Sequence, residues 1–180
     1  MMQDSPLIVQ SDKTLLLDVH HQQSEACRND LVRFCELVKS PEHMHTYALS
    51  AISLWNAAGC GVDASFILSR LDHWSKFPVP ESVRFYIEDM AARWGKVILS
   101  SSQDPRYVEL WVESNRIRTE LLNRPAIAKL LIVKDATHFL LETYNRGEIK
   151  LQLIKIGYPV DDRIPLHHGP ALPFILRETT

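Results

Sequence analysis

Two histidine pairs are the residues of this sequence whose type and spacing come nearest to chemistry. In "SPEHMHTY", residues 40–47, His43 and His45 stand two apart ahead of Tyr47. Side chains alternate along an extended chain, so both imidazoles would project from one face and could share an ion. His20 and His21 could add two more ligands. No cysteine lies near either pair, however, and no H-E-x-x-H or comparable spacing occurs. Two ligands do not make a site, so a half-buried strand with hydrogen-bonded imidazoles is expected here rather than a metal centre.

Other catalytic signatures are missing. The sequence has no G-x-x-x-x-G-K-[ST], G-x-G-x-x-G or G-x-S-x-G, and only six glycines at which a backbone could wrap a phosphate. Glu88 and Asp89 are adjacent on a predicted helix and point in different directions, so they do not form an acid/base pair. Trp55, Trp74, Trp94 and Trp111 could stack on bases, but three of them fall on apolar helical faces where core packing is the expected role. His167 and His168 lie in a proline-rich tail and read as a flexible polar pair.

Charge is the remaining signal. The net charge is −2, yet residues 1–113 carry 10 Lys/Arg against 15 Asp/Glu while residues 114–155 carry 8 against 4. A basic second part suits an anionic partner, although a solvated helix face would carry the same charges. Within it, Arg116, Arg118, Arg146, Lys150 and Lys155 are the candidate DNA contacts. With 46% hydrophobic and 23% charged residues the composition is that of a globular domain, with no apolar run near the length of a membrane span. The start "MMQDSPLIVQ" has no basic or apolar leader, and Cys27, Cys35 and Cys60 form no C-x-x-C pair. Reduced thiols and a cytoplasmic location are therefore expected, with no membrane partner.

The elements that must position these residues emerge from periodicity. "LIVQ" and "TLLLDV" flank "SDK" as a hairpin, and residues 22–38 place Ala26, Leu31, Phe34, Cys35 and Val38 near helical spacing. "TYAL" suits a short strand. Ser50 is placed to cap a helix through "AISLWNAAGCG", closed by Gly59 or Gly61, and Asp63 to cap "ASFILSRLDHWSKF". "PVPESVRFYIEDMAARWGK" is the best-punctuated helix, with Glu81 in its first turn and Gly95 at its end. "KVILS" and "RYVELWVES" form a second predicted hairpin, and "SNRIRTELLN" a short helix ended by Arg124-Pro125. The pattern restarts with "IAKLLIVKD", "HFLLETY" and a helix "NRGEIKLQLIKIG" that sets Arg146 and Lys150 at i, i+4. Four prolines between 159 and 173 read as an extended linker.

Three segments carry a family resemblance. "PLIVQSDKTLLLDV", "SPEHMHTYALSAISLWNAAGCGV" and "PVPESVRFYIEDMAARWGKVIL", in this order and spacing, resemble the N-terminal region of XPB-type DNA repair helicases, most closely the bacterial ones. Pro41, His43, His45 and Tyr47 match the family's P-x-H-x-H-x-Y segment, and Gly95-Lys96 its Gly-Lys strand. "LLNRPAIAKLLI" also resembles the family, and "KLQLIKIGYPVDD" is similar to the helix and Tyr-Pro turn that precede its helicase core. The match is most specific over 6–99 and looser over 107–164.

The resemblance implies an α+β fold: a helical interaction domain with small antiparallel hairpins over 1–125, the start of a small α/β damage-recognition-like domain over 126–158, and a linker over 159–180 toward a helicase core. In that family such a region precedes two RecA-like motors that use ATP and Mg²⁺ to move 3′ to 5′ on DNA. The first domain docks on a similarly folded clutch domain that regulates the ATPase. Implied partners are thus DNA, the protein's own motor domains and a clutch-like or nuclease protein, with a homodimer as an alternative. No Walker or Asp-Glu-x-His motif precedes the final "FILRETT". No catalytic residue, cofactor or metal is therefore assigned to this chain, and an excised fragment is expected rather than a stand-alone regulator. His43 and His45 become structural residues of the strand leading to the Ser50 helix.

Overall fold

In a computed structural model, which describes residues 4–165, the chain builds two sheets and seven helices. The first half contains β1 (Leu7–Val9), β2 (Thr14–Asp18), α1 (Ser24–Leu31), β3 (Glu36–Lys39), β4 (Met44–Ala48), α2 (Ala51–Gly59), α3 (Ala64–Trp74) and α4 (Glu81–Ala91). The second half contains β5 (Val97–Ser101), β6 (Tyr107–Val112), α5 (Asn115–Leu122), α6 (Pro125–Ala128), β7 (Ile132–Val133), β8 (His138–Glu142), a 3-10 turn over Thr143–Asn145, α7 (Arg146–Lys155) and β9 (Asp161–Asp162). The mixed α and β character expected from the sequence is what the chain adopts.

The first sheet has the order β1-β2-β4-β3, antiparallel throughout. Its hairpin turns at Lys13, whose φ of 72° lies in the left-handed region and is stabilised locally by Gln10 accepting the Lys13 amide at 3.1 Å. Alternation along β2 buries Leu15 and Leu17, and the register sets them opposite Tyr47 and His45. Helices supply the rest of this core through Leu31, Leu54, Ile67, Leu71, Val83 and Ile87, all fully buried. Each such side chain contributes roughly 1.5–3 kcal/mol by leaving water.

One expected element is replaced. The helix foreseen over 22–38 ends at Leu31, and "ELVK" pairs with β4 as an edge strand. Phe34 and Cys35 are still buried, so the apolar spacing was real. Beyond them, β4 offers an open row of backbone groups, with which Glu36, Leu37 and Lys39 pair.

The second sheet has the order β7-β8-β6-β5-β9, antiparallel except for the β5–β9 pair. It holds a separate core of Val97, Leu99, Leu110, Val112, Leu121, Phe139, Leu141, Ile149 and Leu153. The change of core falls between Met90 and Val97. Pro125 opens α6 on the surface of the second half, and β6 and β8 pair across that position in the sequence. Asp161 and Asp162, in the proline-rich stretch, join the sheet beside Ile98 and Leu99. His167, His168 and the rest of the expected linker lie outside the described residues.

Candidate nucleic-acid interface

The five basic residues named from the sequence meet three different fates. α7 presents Arg146 and Lys150 one turn apart, as their spacing required, and both turn toward β9. Arg146 donates Nε to Asp162 Oδ2 at 2.9 Å and Nη2 to Asp162 Oδ1 at 2.8 Å, with a third bond to the Ile164 carbonyl. Lys150 Nζ reaches the same carboxylate at 2.8 Å. These cations form a clamp that fastens β9 to the helix. Asp162 sits in it with 10% of its side chain exposed. Burial pushes its carboxyl up, but the bonds from Arg146 and Lys150 and the Ile164 amide outweigh that and hold it below the ordinary range.

Arg118, on α5, is also engaged internally. Its Nη1 donates to the Asp135 carbonyl at 2.7 Å and its guanidinium lies 5.1 Å from the centre of the Phe139 ring. It therefore braces the turn before β8, where Asp135 accepts from the amides of Thr137 and His138 and from His138 Nδ1. The Thr137 amide and the His138 ring lower the Asp135 carboxyl to about 2.

Arg116 and Lys155 are exposed and form no ion pair with Asp or Glu among the described residues. Lys129, just after α6, shares that property and was not singled out from the sequence. Arg116 sits on an α5 face with Asn115, Thr119, Asn123 and Arg124, beside a polar hollow of about 670 Å³. Ser114 caps this helix by accepting the Ile117 amide at 3.4 Å. Arg116 and Arg124 supply donors on this face and Asn115 and Asn123 both donate and accept, while the Thr119 hydroxyl is spent on the Asn115 carbonyl at 2.9 Å and Glu120 binds Tyr158 at 2.8 Å and lies 3.5 Å from Arg124. Such a face can meet phosphate oxygens or base edges. No single run of charge announced it, because its members are spread over 115–124 and interrupted by core residues.

Of the four histidines only His45 lies in a strand, and His20, His21 and His43 sit in the turns beside it. His20 Nε2 and His43 Nδ1 are 2.8 Å apart and bond directly to each other, and His21 Nε2 lies 3.3 Å from Asp4. His45 sits in β4 with a buried Nδ1 that finds no partner among the described residues. No group of three His, Cys, Asp or Glu side chains is placed to hold an ion among the described residues. Trp55 and Trp74 are buried, with indole bonds to the Met90 carbonyl at 3.1 Å and to Asp30 at 2.8 Å. Burial pushes the Cys27 thiol up to about 12 and that of Cys35 well above its usual value, so both are inert apolar groups. Among the described residues no single helix is long and apolar enough to cross a membrane.

Comparison with known proteins gives this architecture a family. The model described as the helicase conserved C-terminal domain matches residues 7–136. The chain is 36% identical over 179 residues to the DNA 3′-5′ helicase XPB of Mycobacterium tuberculosis, covering 98% of this chain and 32% of that protein. It is 38% identical over 180 residues to the DNA 3′-5′ helicase XPB of Kineococcus radiotolerans, with the same shares of both chains. The general transcription and DNA repair factor IIH helicase/translocase subunit XPB/SSL2 of Saccharomyces cerevisiae is 33% identical over 125 residues, or 69% of this chain and 15% of that one. The chain thus spans about a third of the length of its bacterial relatives. By the family model, and by identity running along nearly its whole length, the chain belongs to the helicase conserved C-terminal domain family, in the part shared with XPB-type DNA helicases.

Proposed function

We propose that this chain is the recognition and regulatory module of an XPB-like 3′–5′ DNA helicase, positioning or gating an ATPase motor that uses ATP and Mg²⁺ and lies outside it. The observation that carries the reading is the 36–38% identity to bacterial XPB helicases along 98% of the chain. The matching model is described as a C-terminal helicase domain. The reading nonetheless sets the segment ahead of the motor, because of the resemblance of its histidine and Tyr-Pro segments. DNA contact belongs on the exposed cations Arg116, Lys129 and Lys155, since Arg118, Arg146 and Lys150 are engaged within the fold.

The test is fluorescence anisotropy of labelled single-stranded, duplex and forked DNA with this chain at low and physiological salt. Saturable binding with a steep salt dependence is expected. Changing Arg116, Lys129 and Lys155 together to Glu should remove it, whereas no binding by the unaltered chain at low salt would refute DNA recognition.

A second reading, a protein-interaction domain that dimerises without DNA, is favoured by one feature of the first sheet. The edge strand β3 leaves Leu37 and Val38 54% and 56% exposed beside Val32 at 60%. A bulge at Val38, between the Leu37 and Lys39 pairings, and the flanking charges Glu36 and Lys39 guard the edge against indiscriminate pairing. Leu37→Glu should leave stability within about 0.5 kcal/mol and abolish any dimer seen by light scattering. A monomer at high protein concentration would dispose of this reading.

A further inference from the structure

Apart from its cations, the second half carries an aromatic surface at one end of its sheet. β6 begins at Tyr107, β8 ends at Glu142, and the register sets these two residues opposite each other. The turns at 104–107 and 142–144 therefore lie side by side. Arg106, Tyr107, Glu142, Thr143 and Tyr144 line a cavity of about 600 Å³ there. The Tyr144 ring is 80% exposed, more than any other large apolar side chain among the described residues.

This surface is braced in a way an incidental exposed tyrosine would not be. The Tyr144 hydroxyl donates to Glu142 Oε2, two residues earlier at the end of β8. The Thr143 amide donates to the Arg106 carbonyl at 2.9 Å and its hydroxyl to the Pro105 carbonyl at 2.9 Å, cross-linking the two turns. Arg106 is held flat by Asp104, with Nε 3.0 and 3.1 Å from the two carboxylate oxygens and Nη2 2.6 Å from Oδ2. Its guanidinium stands 5.8 Å from the centre of the Tyr107 ring.

The geometry points to a stacking slot at Tyr107 and Tyr144 for one unpaired nucleobase of single-stranded or distorted DNA. This rests on the DNA-recognition reading above and deepens it. Aromatic faces and guanidinium planes stack on any base and reach those splayed out of a duplex. A phosphate fits poorly, because Asp104 already neutralises the arginine and Glu142 adds a second carboxylate. That carboxylate accepts from the exocyclic amine of cytosine, adenine or guanine and equally from the N3–H of an unpaired thymine, so the slot holds any of the four bases.

The experiment uses the full chain and three labelled duplexes that differ at one position: fully paired, one unpaired cytosine, one unpaired thymine. Tyr144→Ala should weaken binding to the unpaired-cytosine duplex at least about fivefold and change the paired duplex less than about twofold. Tyr144→Phe keeps the ring and should restore most of the affinity. The unaltered chain should bind both unpaired-base duplexes more tightly than the paired one, and Glu142→Ala should weaken both while leaving the paired duplex nearly unchanged. Equal effects of Tyr144→Ala on all three duplexes, or none, would overturn the slot while leaving DNA recognition standing. If the unaltered chain binds none of the duplexes, the DNA-recognition reading itself fails. Circular dichroism of the variants separates lost contacts from lost fold.

Discussion

At Asp162, one carboxylate decides what two cations can do. The i, i+4 spacing of Arg146 and Lys150 was legible, and it correctly put both on one side of a helix. Their partner was not, since it arrives 12 and 16 residues later in a stretch that reads as linker. Long-range pairing of this kind leaves no trace in local pattern, so basic residues chosen by density alone mixed clamps with free charges. Asp162→Ala should destabilise the second half by about 1–3 kcal/mol by stranding two cations. Asp162→Asn exposes the titration. The folded carboxyl is held below its unfolded value of about 3.9, so its stabilisation is complete above that pH and is lost as pH falls through the folded value. Urea unfolding at pH 7 and pH 3 should therefore show the gap between unaltered protein and Asp162→Asn narrowing at the lower pH. A gap that does not change with pH would show that the clamp contributes nothing through its charge.

For elements, capping and hairpin signals were the trustworthy part of the sequence. Ser50 and Asp63 cap their helices and Gly61 follows α2 as expected, whereas α4 ends at Ala91, short of Trp94 and Gly95; both hairpins form. These signals succeed because cap and turn chemistry is settled within four residues. β3 failed for the opposite reason: a helix-period segment was captured by an unpaired strand from further along the chain. Ser50 ties these levels together. It accepts the Ser53 amide at 3.0 Å, its own amide donates to Ser53 Oγ at 3.1 Å, and its hydroxyl donates to Glu36 of β3 at 2.7 Å. Ser50→Ala should cost about 1 kcal/mol in thermal or urea unfolding, and Ser50→Thr should recover most of it. A negligible loss would mean that the edge strand holds without the helix start.

Across the whole molecule, two separate cores are joined through the turn between α4 and β5. The boundary between them is invisible to composition, because "ARWGK" reads as the end of a well-formed helix rather than as a junction. Arg93 is a residue that crosses it. Its Nη2 binds Asp89 one turn back at 2.8 Å and its Nη1 donates to the Gly157 carbonyl, beyond α7, at 3.2 Å. Gly157 has a φ of 85°, and a Cβ there would stand 2.6 Å from Arg93 Nη1. Gly157→Ala therefore carries two penalties, about 1–2 kcal/mol for the left-handed backbone and the loss of the Arg93 bond as that side chain swings away. Arg93→Ala alone removes the bond, at about 1 kcal/mol. Combined, the two should destabilise by less than their sum, since the bond is lost only once and the new methyl meets nothing. Hydrogen exchange should show β2 and β4 separating in stability from β6 and β8 in both single variants. Strict additivity, with exchange unaltered, would mean that the two halves are held together by other contacts and that Arg93 is a bystander at the junction.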